Sequence, residues 1–526
     1  MGADVAWAGL QLALLSLALA LWHLVLRPRA IASSMARQGV RGPPYRFLAG
    51  SMPEAKRLVA AGRRGVPPLH AASHDIIPVL HPQFHRWVAE YEEHSGRTFL
   101  YWIGPIPAIF TLDLELVKQV LTDRTGMFPK DFMIPVVKNL FGNGLIFING
   151  DDWKRHRKVV LPAFNHDKLK SLSVVTAEVT GHMIQQWRNQ IKQSDGQATE
   201  IDMTPAFCDL TEEILGRVAF GMSLNQANVK EVVSAMREMQ KLGTAATLQA
   251  PILWYLPTRS NLRVRQLKRL VGANIMSIMQ TRVAAKGSNG GDGYGDDLFG
   301  LLLDAWSSER PGSSETLSTQ EVIDEFKTFF IAGQETTTTL LVWAMFLLSV
   351  HPHWQEKVRE EILRECPDGE LPNANVLGKL KLLYMVLLET LRLYPPIVYI
   401  QRRTGSNVVL AGNISVPKGT LISIPIGMLH RDKEIWGPDA DDFNPARFEN
   451  GVSRAAKDPK ALLSFSLGPR ACTGQNFGIM EAQVVMAMIL RKFSFSLSPK
   501  YVQKPKFLLA LTPKRGMPLI VRNIAG

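Results

Sequence analysis

From Val5 to Leu26 the chain runs some 22 residues without an Asp, Glu, Lys or Arg (VAWAGLQLALLSLALALWHLVL), close to the ~20 that span a bilayer as a helix. Asp4 precedes the run, and Arg27, Arg29, Arg37 and Arg41 follow it. The positive-inside rule then keeps the bulk of the chain cytoplasmic. A cleaved secretory signal is the competing reading, through Ala18-Leu19-Ala20. No basic segment precedes the run, however, and its apolar character continues past that site. An uncleaved anchor over residues 1–26 is therefore expected. Gly39–Ser51 (GVRGPPYRFLAGS) reads as a stiff, non-helical spacer, which gives a basic, Pro/Gly-rich hinge over 27–51 and one large domain over 52–526.

Within that domain the pattern is mostly helical. Asp324–Val350 (DEFKTFFIAGQETTTTLLVWAMFLLSV) is apolar on nearly every face, which predicts a helix buried through the centre. Its polar stretch, Gly333–Thr339, rules out a second membrane span. His353–Leu363 and Val376–Tyr394 are amphipathic, the second stopped by Pro395-Pro396. Short β-like pieces lie between Val408 and Ile426, punctuated by Gly412 and Gly419. KGSNGGDGYGDD (Lys286–Asp297) reads as a flexible surface loop, because no strand precedes it and no Gly-Lys-Ser/Thr follows. The fold class is mainly α with a minor β part.

Composition narrows the chemistry. Hydrophobic residues make up 46% and charged residues 20% of 526, an ordinary globular balance. Lys and Arg outnumber Asp and Glu by 60 to 47, which suggests an anionic partner. Long basic runs are missing, so nucleic acid is discounted. The three cysteines, Cys208, Cys366 and Cys472, show no CxxC or Cys/His zinc spacing, and an odd count argues against a disulfide framework. Neither G-x-S-x-G nor H-E-x-x-H occurs, and His430-Arg431-Asp432 copies a kinase triplet without the accompanying kinase motifs.

Cys472 stands in FSLGPRACTG, of the form F-x-x-G-x-R-x-C-x-G. Core packing, a disulfide, a nucleophile and a metal ligand are the alternatives. The flanking pattern favours the last. Gly468 and Gly474 allow backbone N–H groups close to the sulfur. The helix expected over Gly474–Leu490 places its positive end beside a thiolate. Phe465 can cover the sulfur, and Arg470 can pair with an acidic group on a cofactor edge.

This segment resembles the haem-binding loop of cytochromes P450, and the other landmarks of that family occur in order. AGQETT (Ala332–Thr337) matches A-G-x-[D/E]-T-T, Glu389–Arg392 matches E-x-x-R, and Tyr394-Pro395-Pro396 and Phe443–Phe448 (FNPARF) follow. Trp153–Arg157 matches W-x-x-x-R. The segments WKRHR, WQEKVREEI and ETLRLYPP are most similar to the plant P450 clan numbered 72, which includes hydroxylases of hormones, terpenoids and fatty acids. Gln334, where His is frequent, and Ala471 and Thr473, unusual neighbours of the ligand, are minor departures.

The resemblance implies the P450 fold, with a large helical domain around haem b, and Cys472 as axial thiolate of the haem iron. It implies Thr336 and Glu335 as the proton-handling pair, and Trp153, Arg157 and one of Arg402 or Arg403, with Arg402 preferred, as propionate contacts. Glu389, Arg392 and Arg447 form a structural triad. Lys154, Arg155 and Lys158 are the expected docking patch for an acidic reductase. Substrate contacts by topology are Phe132, Met133, Phe329, Ala332, Val398 and Leu508. The implied activity is hydroxylation of an apolar small molecule using O2 and electrons from NADPH–cytochrome P450 reductase, at the endoplasmic reticulum membrane, single-pass, with the catalytic domain in the cytoplasm. A P450-fold isomerase or dehydratase acting on oxidised lipids without a reductase is the rival. Such enzymes commonly lose the helix threonine that is present here as Thr336.

Overall fold

The computed structural model describes residues 2–63, 73–130, 135–194, 196–223, 226–247, 256–289, 293–295, 297–307, 316–366, 372, 374–507 and 509–524. Its centre is one long helix, Thr319–Val350, which begins earlier than the apolar pattern alone indicates. Ser318 accepts from the Glu321 N–H while the Glu321 carboxylate accepts from the Ser318 N–H, a capping box that starts the helix in polar sequence. Helices Met203–Phe220, Lys381–Leu393 and Gln475–Lys492 pack around it. Trp343, Phe346 and Leu347 are inaccessible at its core.

A four-stranded sheet flanks this bundle, built from β1 (Thr98–Ile103), β2 (Ile106–Thr111), β3 (Ile400–Arg403) and β4 (Leu421–Ile424) in the order β1-β2-β4-β3. The β1–β2 pair is antiparallel, with Phe99 opposite Phe110 and their rings stacked at 4.6 Å. β2 runs parallel to β4, and β3 antiparallel to it. Strand-forming aromatic and β-branched residues dominate β1 and β2, and Gly104 at φ +57° makes the turn between them. A second sheet joins Ala198–Asp202, Pro518–Asn523 and Phe493–Leu497.

The helix expected over Val376–Tyr394 is two, Ala374–Leu377 and Lys381–Leu393. The break is stabilised from outside: the buried Glu361 carboxylate accepts from the Leu382 and Leu383 N–H groups at 2.8 and 3.0 Å, satisfying donors at a helix start. The glycine-rich segment is not wholly loop either. Helix Arg259–Asn289 extends into it, and Lys286 Nζ lies 4.4 Å from the Tyr294 ring.

At the N-terminus, helix Gly2–Leu21, a π-turn Trp22–Leu26 and helix Arg27–Arg37 are contiguous. Among the described residues Asp4–Arg37 is the one helix long and apolar enough to cross a membrane. The segment read as a hinge is helical as far as Arg37, and its Pro28, Ile31 and Met35 are buried against the domain. The Gly-Pro-Pro stretch that follows is irregular but fixed. Leu100 N–H donates to Arg41 O at 3.0 Å, and any β-carbon at Gly42 would lie 1.9 Å from Leu100 O.

Candidate active site

Cys472 lies between a turn of 3-10 helix, Gly468–Arg470, and helix Gln475–Lys492. Its N–H donates to Phe465 O at 2.9 Å, closing the loop. The sulfur opens onto a cavity of about 830 Å³ that Phe465, Arg470, Cys472 and Gly474 all line. Burial pushes the thiol up, while the Gly474 N–H, Lys130 and Arg157 pull it down towards the thiolate.

The two glycines of this loop differ in purpose. Gly474 supplies the N–H to the sulfur, as expected. Gly468 has φ +70°, and a β-carbon there would lie 2.4 Å from Leu121 O, so it is required by backbone packing and not by access to the sulfur. Gly468→Ala is expected to lower sharply the occupancy of the haem that the sequence resemblance implies, as read by the ratio of haem to protein absorbance. Wild-type occupancy in that variant would show the loop tolerates the displacement.

Lys168 and four further cations line the same cavity, and those four, Arg157, Arg402, Arg470 and Lys130, act electrostatically on one another. Arg157 donates to Thr473 Oγ1 at 3.2 Å, Arg402 to Gln401 O at 2.9 Å, and Arg470 to Ile148 O and Asn149 Oδ1 at 2.6 and 2.8 Å. Arg470 also lies 4.4 Å over the Trp153 ring, with Arg157 at 5.5 Å. Arg402 lines the cavity and Arg403 does not, as strand alternation requires. Burial holds Arg402 down at about 10. Burial, then Arg402 and Arg157, hold Arg470 at about 10. Lys130 falls well below the usual lysine range through burial and then Arg402 and Arg470, with Cys472 opposing. Among the described residues none of these four makes an ion pair with a carboxylate, and Cys472 favours the charged forms of Lys130 and Arg157. Such a cluster is costly without anions. A flat ligand with two carboxylates and an iron for the thiolate fits this donor set.

Phe329, Ala332, Glu335, Thr336 and Thr337 of the long helix also line the cavity. Thr336 Oγ1 donates back to Ala332 O at 2.7 Å, the bond that loosens a helix locally. Burial, then Glu212, raise the Glu335 carboxyl above the ordinary range. Gln334 turns away, donating to Cys208 Sγ and Thr338 Oγ1 at 3.2 and 3.3 Å. Val398 is buried against Gly427, 3.6 Å from where its β-carbon would be, and is not in the lining; Ile397 and Ile400 are. Phe132, Met133 and Leu508 lie outside the described residues, although Phe507 and Leu509 line the cavity.

Glu389 and Arg392, both inaccessible, pair through two bonds of 2.7 and 2.8 Å. Arg392 also donates to His430 O, Ala440 O and Asp442 O, and Glu389 accepts the Asn444 N–H at 2.9 Å. Arg447 stands 3.8 Å from Glu389 and donates to Trp436 O and Asp439. His430 bridges Arg392 O to the Leu463 N–H just before the cysteine loop. Its kinase-like triplet is thus a bracket for the backbone. Arg155 is turned inward, to Glu321 at 2.5 Å and Thr316 O at 2.6 Å, and Lys154 pairs with Asp151 at 2.8 Å.

Sequence reading missed Lys130 and Glu481. Glu481 is buried on helix Gln475–Lys492, hydrogen-bonded to Thr337, with Oε1 lacking a partner among the described residues. Desolvation pushes it up to about 8. A carboxyl raised in the folded state binds its proton there but not in the unfolded chain. Stability is therefore fully present below the ordinary carboxylate range and is lost as pH climbs towards 8. Glu481→Gln is expected to remove that slope, raising the unfolding midpoint above pH 7 by an amount worth a few kcal/mol at most, on the order of the shift. Parallel wild-type and variant profiles between pH 5 and 9 would contradict it.

The chain matches the cytochrome P450 family model over residues 74–520. It is 40% identical over 507 residues to Cytochrome P450 709B3 of Arabidopsis thaliana, covering 96% of this chain and 95% of that protein. It is 38% identical over 504 residues to Cytochrome P450 734A6 of Oryza sativa subsp. japonica, covering 94% and 92%. With Cytochrome P450 72A397 of Kalopanax septemlobus it shares 36% identity over 500 residues, covering 94% and 93%.

Proposed function

Since the chain belongs to the cytochrome P450 family and is a monooxygenase with a haem-iron cofactor, a redox partner and a small-molecule substrate, we propose that it hydroxylates an apolar molecule using haem b and electrons from NADPH–cytochrome P450 reductase. When bound, haem iron supplies the one-electron and O2 chemistry. The observation that carries the residue assignment is the meeting of Cys472 on one cavity with four cations that make no ion pair with a carboxylate among the described residues.

Cys472 Sγ would hold the iron, with the Gly474 N–H favouring the thiolate. Arg157, Arg402, Arg470 and Lys130 would hold the carboxylates, and Trp153 stacks beneath two of those guanidiniums. Burial raises the Glu335 carboxyl and so favours its protonated form at the cavity wall. Thr336 Oγ1 can exchange its bond to Ala332 O for one directed into the cavity. The presence of Thr336 supports monooxygenation over the isomerase or dehydratase reading, whose enzymes commonly lose that threonine. Phe329, Ala332, Ile397 and Ile400 make the substrate surface apolar. Thr336→Ala is expected to cut product formation about 10²-fold while substrate-induced Soret shifts persist. Unchanged product yield per NADPH would remove Thr336 from proton handling. Fatty acids, terpenoids and hormone-like compounds are the classes for a Soret-shift screen, and activity is expected to need both NADPH-reductase and O2.

The proposed topology is single-pass, with the domain on the cytoplasmic face of the endoplasmic reticulum. Support comes from the apolar Asp4–Arg37 helix and its trailing arginines. Asn413-Ile414-Ser415 is a glycosylation sequon whose asparagine is exposed on a turn, so the full chain made in microsomes is expected to carry no glycan there. A glycosidase-sensitive mass shift lost in Asn413→Gln would invert the topology.

A further inference from the structure

Ile397, Ile400, Phe507 and Leu509 make one wall of the cavity apolar, and two polar side chains, Tyr399 and Gln401, interrupt it. Gln401 borders the cavity beside Arg402 because β3 is the edge strand of its sheet. Strand register sets Gln401 opposite Ser423 of β4 and carries the same face across β2 to Tyr101. Tyr101 and Ser423 are buried behind the wall. Tyr101 Oη lies 2.8 Å from both Tyr399 Oη and Ser423 Oγ, and Gln401 Nε2 donates to Ser423 Oγ at 3.5 Å.

The Tyr399 ring stacks at 5.8 Å on Phe84, which stacks at 4.9 Å on Phe110 of β2, so the phenol is held in one place. Burial and then Tyr101 raise its hydroxyl well above the ordinary tyrosine range, which keeps it a neutral phenol. A phenol and a primary amide each offer both donor and acceptor positions. The direct bonds use one on each side chain, Tyr399 to Tyr101 and Gln401 to Ser423, and Gln401 Oε1 accepts neither. Both side chains border the cavity, where positions left unmet cost free energy until a ligand or water meets them. Tyr399 precedes Arg402 by three residues, so it stands roughly 10 Å along the extended chain from a side chain assigned to the haem carboxylates.

We propose that Tyr399 and Gln401 determine specificity by holding a neutral hydroxyl or carbonyl oxygen of the substrate. The molecule oxidised here is then an apolar compound that already carries such an oxygen, neither a plain hydrocarbon nor a free fatty acid. The proposal rests on reading the cavity as the monooxygenase site. A few fixed polar groups in an apolar pocket set the orientation of a ligand. A site built to bond an oxygen rejects the analogue lacking it far more strongly than an apolar pocket rejects an extra methylene. A hydroxyl gives and takes a hydrogen bond, which matches a wall offering both a phenol and an amide carbonyl. Held there, the oxygen stays clear of the iron and leaves a remote carbon to be oxidised.

The test titrates the full-length holoenzyme with 1-alkylimidazoles of rising chain length whose tails end in a methyl, a hydroxyl or a carboxylate. The imidazole coordinates haem iron, so binding is read as a Soret shift whatever the tail. In the wild type, hydroxyl tails of one length are expected to bind about ten-fold tighter than shorter or longer members, the worth of one net hydrogen bond. Tyr399→Phe keeps the ring stacked on Phe84 and removes only the hydroxyl. That variant and Gln401→Leu are expected to lose the ten-fold advantage while methyl tails bind as before. A hydroxyl series without a preferred length in the wild type overturns the proposal, as does a preference that survives in both variants. Tightest binding by carboxylate tails, unchanged in Tyr399→Phe, assigns the wall to an acid held by the cations and also overturns it. No Soret shift with any tail overturns the haem reading of the cavity, and the proposal with it.

Discussion

Cys472→Ala is expected to abolish monooxygenase turnover entirely. The loop around Cys472 is built to present one sulfur to the cavity: the Cys472 N–H is tied to Phe465 O, and the Gly474 N–H reaches the sulfur. Burial works against ionisation, and Lys130 and Arg157 work for it. No other cysteine can substitute. Cys208 is bonded to Gln334, held as a thiol by burial and Glu212, and pushed up to about 12, and Cys366 is buried on another helix end. The alanine variant keeps the cation cluster, so some haem can still bind through its carboxylates, but without a thiolate its spectrum would lose the red shift that gives the family its name. Cys472→His is expected to retain haem with an imidazole ligand and equally to lack turnover. Residual NADPH-dependent product from the alanine variant at more than about a hundredth of wild type would remove Cys472 from the centre of the account.

Loss of Glu389 is expected to have the second largest effect, on folding rather than chemistry. Arg392 is inaccessible, and Glu389 is the one carboxylate to which it is bonded. Glu389→Ala strands that guanidinium among carbonyl groups, at a cost of about 3–5 kcal/mol, a large share of the ~5–15 that hold a domain together. The Asn444 N–H also loses its acceptor, so Phe443–Phe448 loosens and with it the approach to the cysteine loop. Expression without haem, or no soluble chain, is the predicted outcome. Arg447→Ala should be milder, since Arg447 stands 3.8 Å from Glu389 and is shared with Asp439 and Trp436 O. Equal thermal midpoints for the two variants would mean the order of importance is wrong.

What the sequence disclosed and what it hid follow one physical line. Features carried by neighbours in the chain were legible: the apolar Val5–Leu26 run, the polar interruption in the central helix, and the i,i+3 pair Glu389 and Arg392. Features created by distant contacts were not. Lys130 is an unremarked lysine until folding sets it against three arginines. Glu481 sits in an apolar helix and becomes unusual only when folding buries it, with Thr337 offsetting part of that effect. Arg155 resembles a solvated docking residue, but Glu321 of the central helix draws it inward. The expected hinge became helix because Pro28, Ile31 and Met35 found a surface to bury against. Val398 follows the same rule, packed on Gly427 while its neighbours face the cavity.

The central claim, a thiolate-ligated haem in the cavity beneath the long helix, is tested most directly by one spectrum. The purified full chain is reduced under carbon monoxide and its Soret band is compared with that of Cys472→His. The account predicts a strongly red-shifted band in the wild type and its loss in the histidine variant. A wild-type band at the position of the histidine variant, in protein that is folded and loaded with haem, would contradict it.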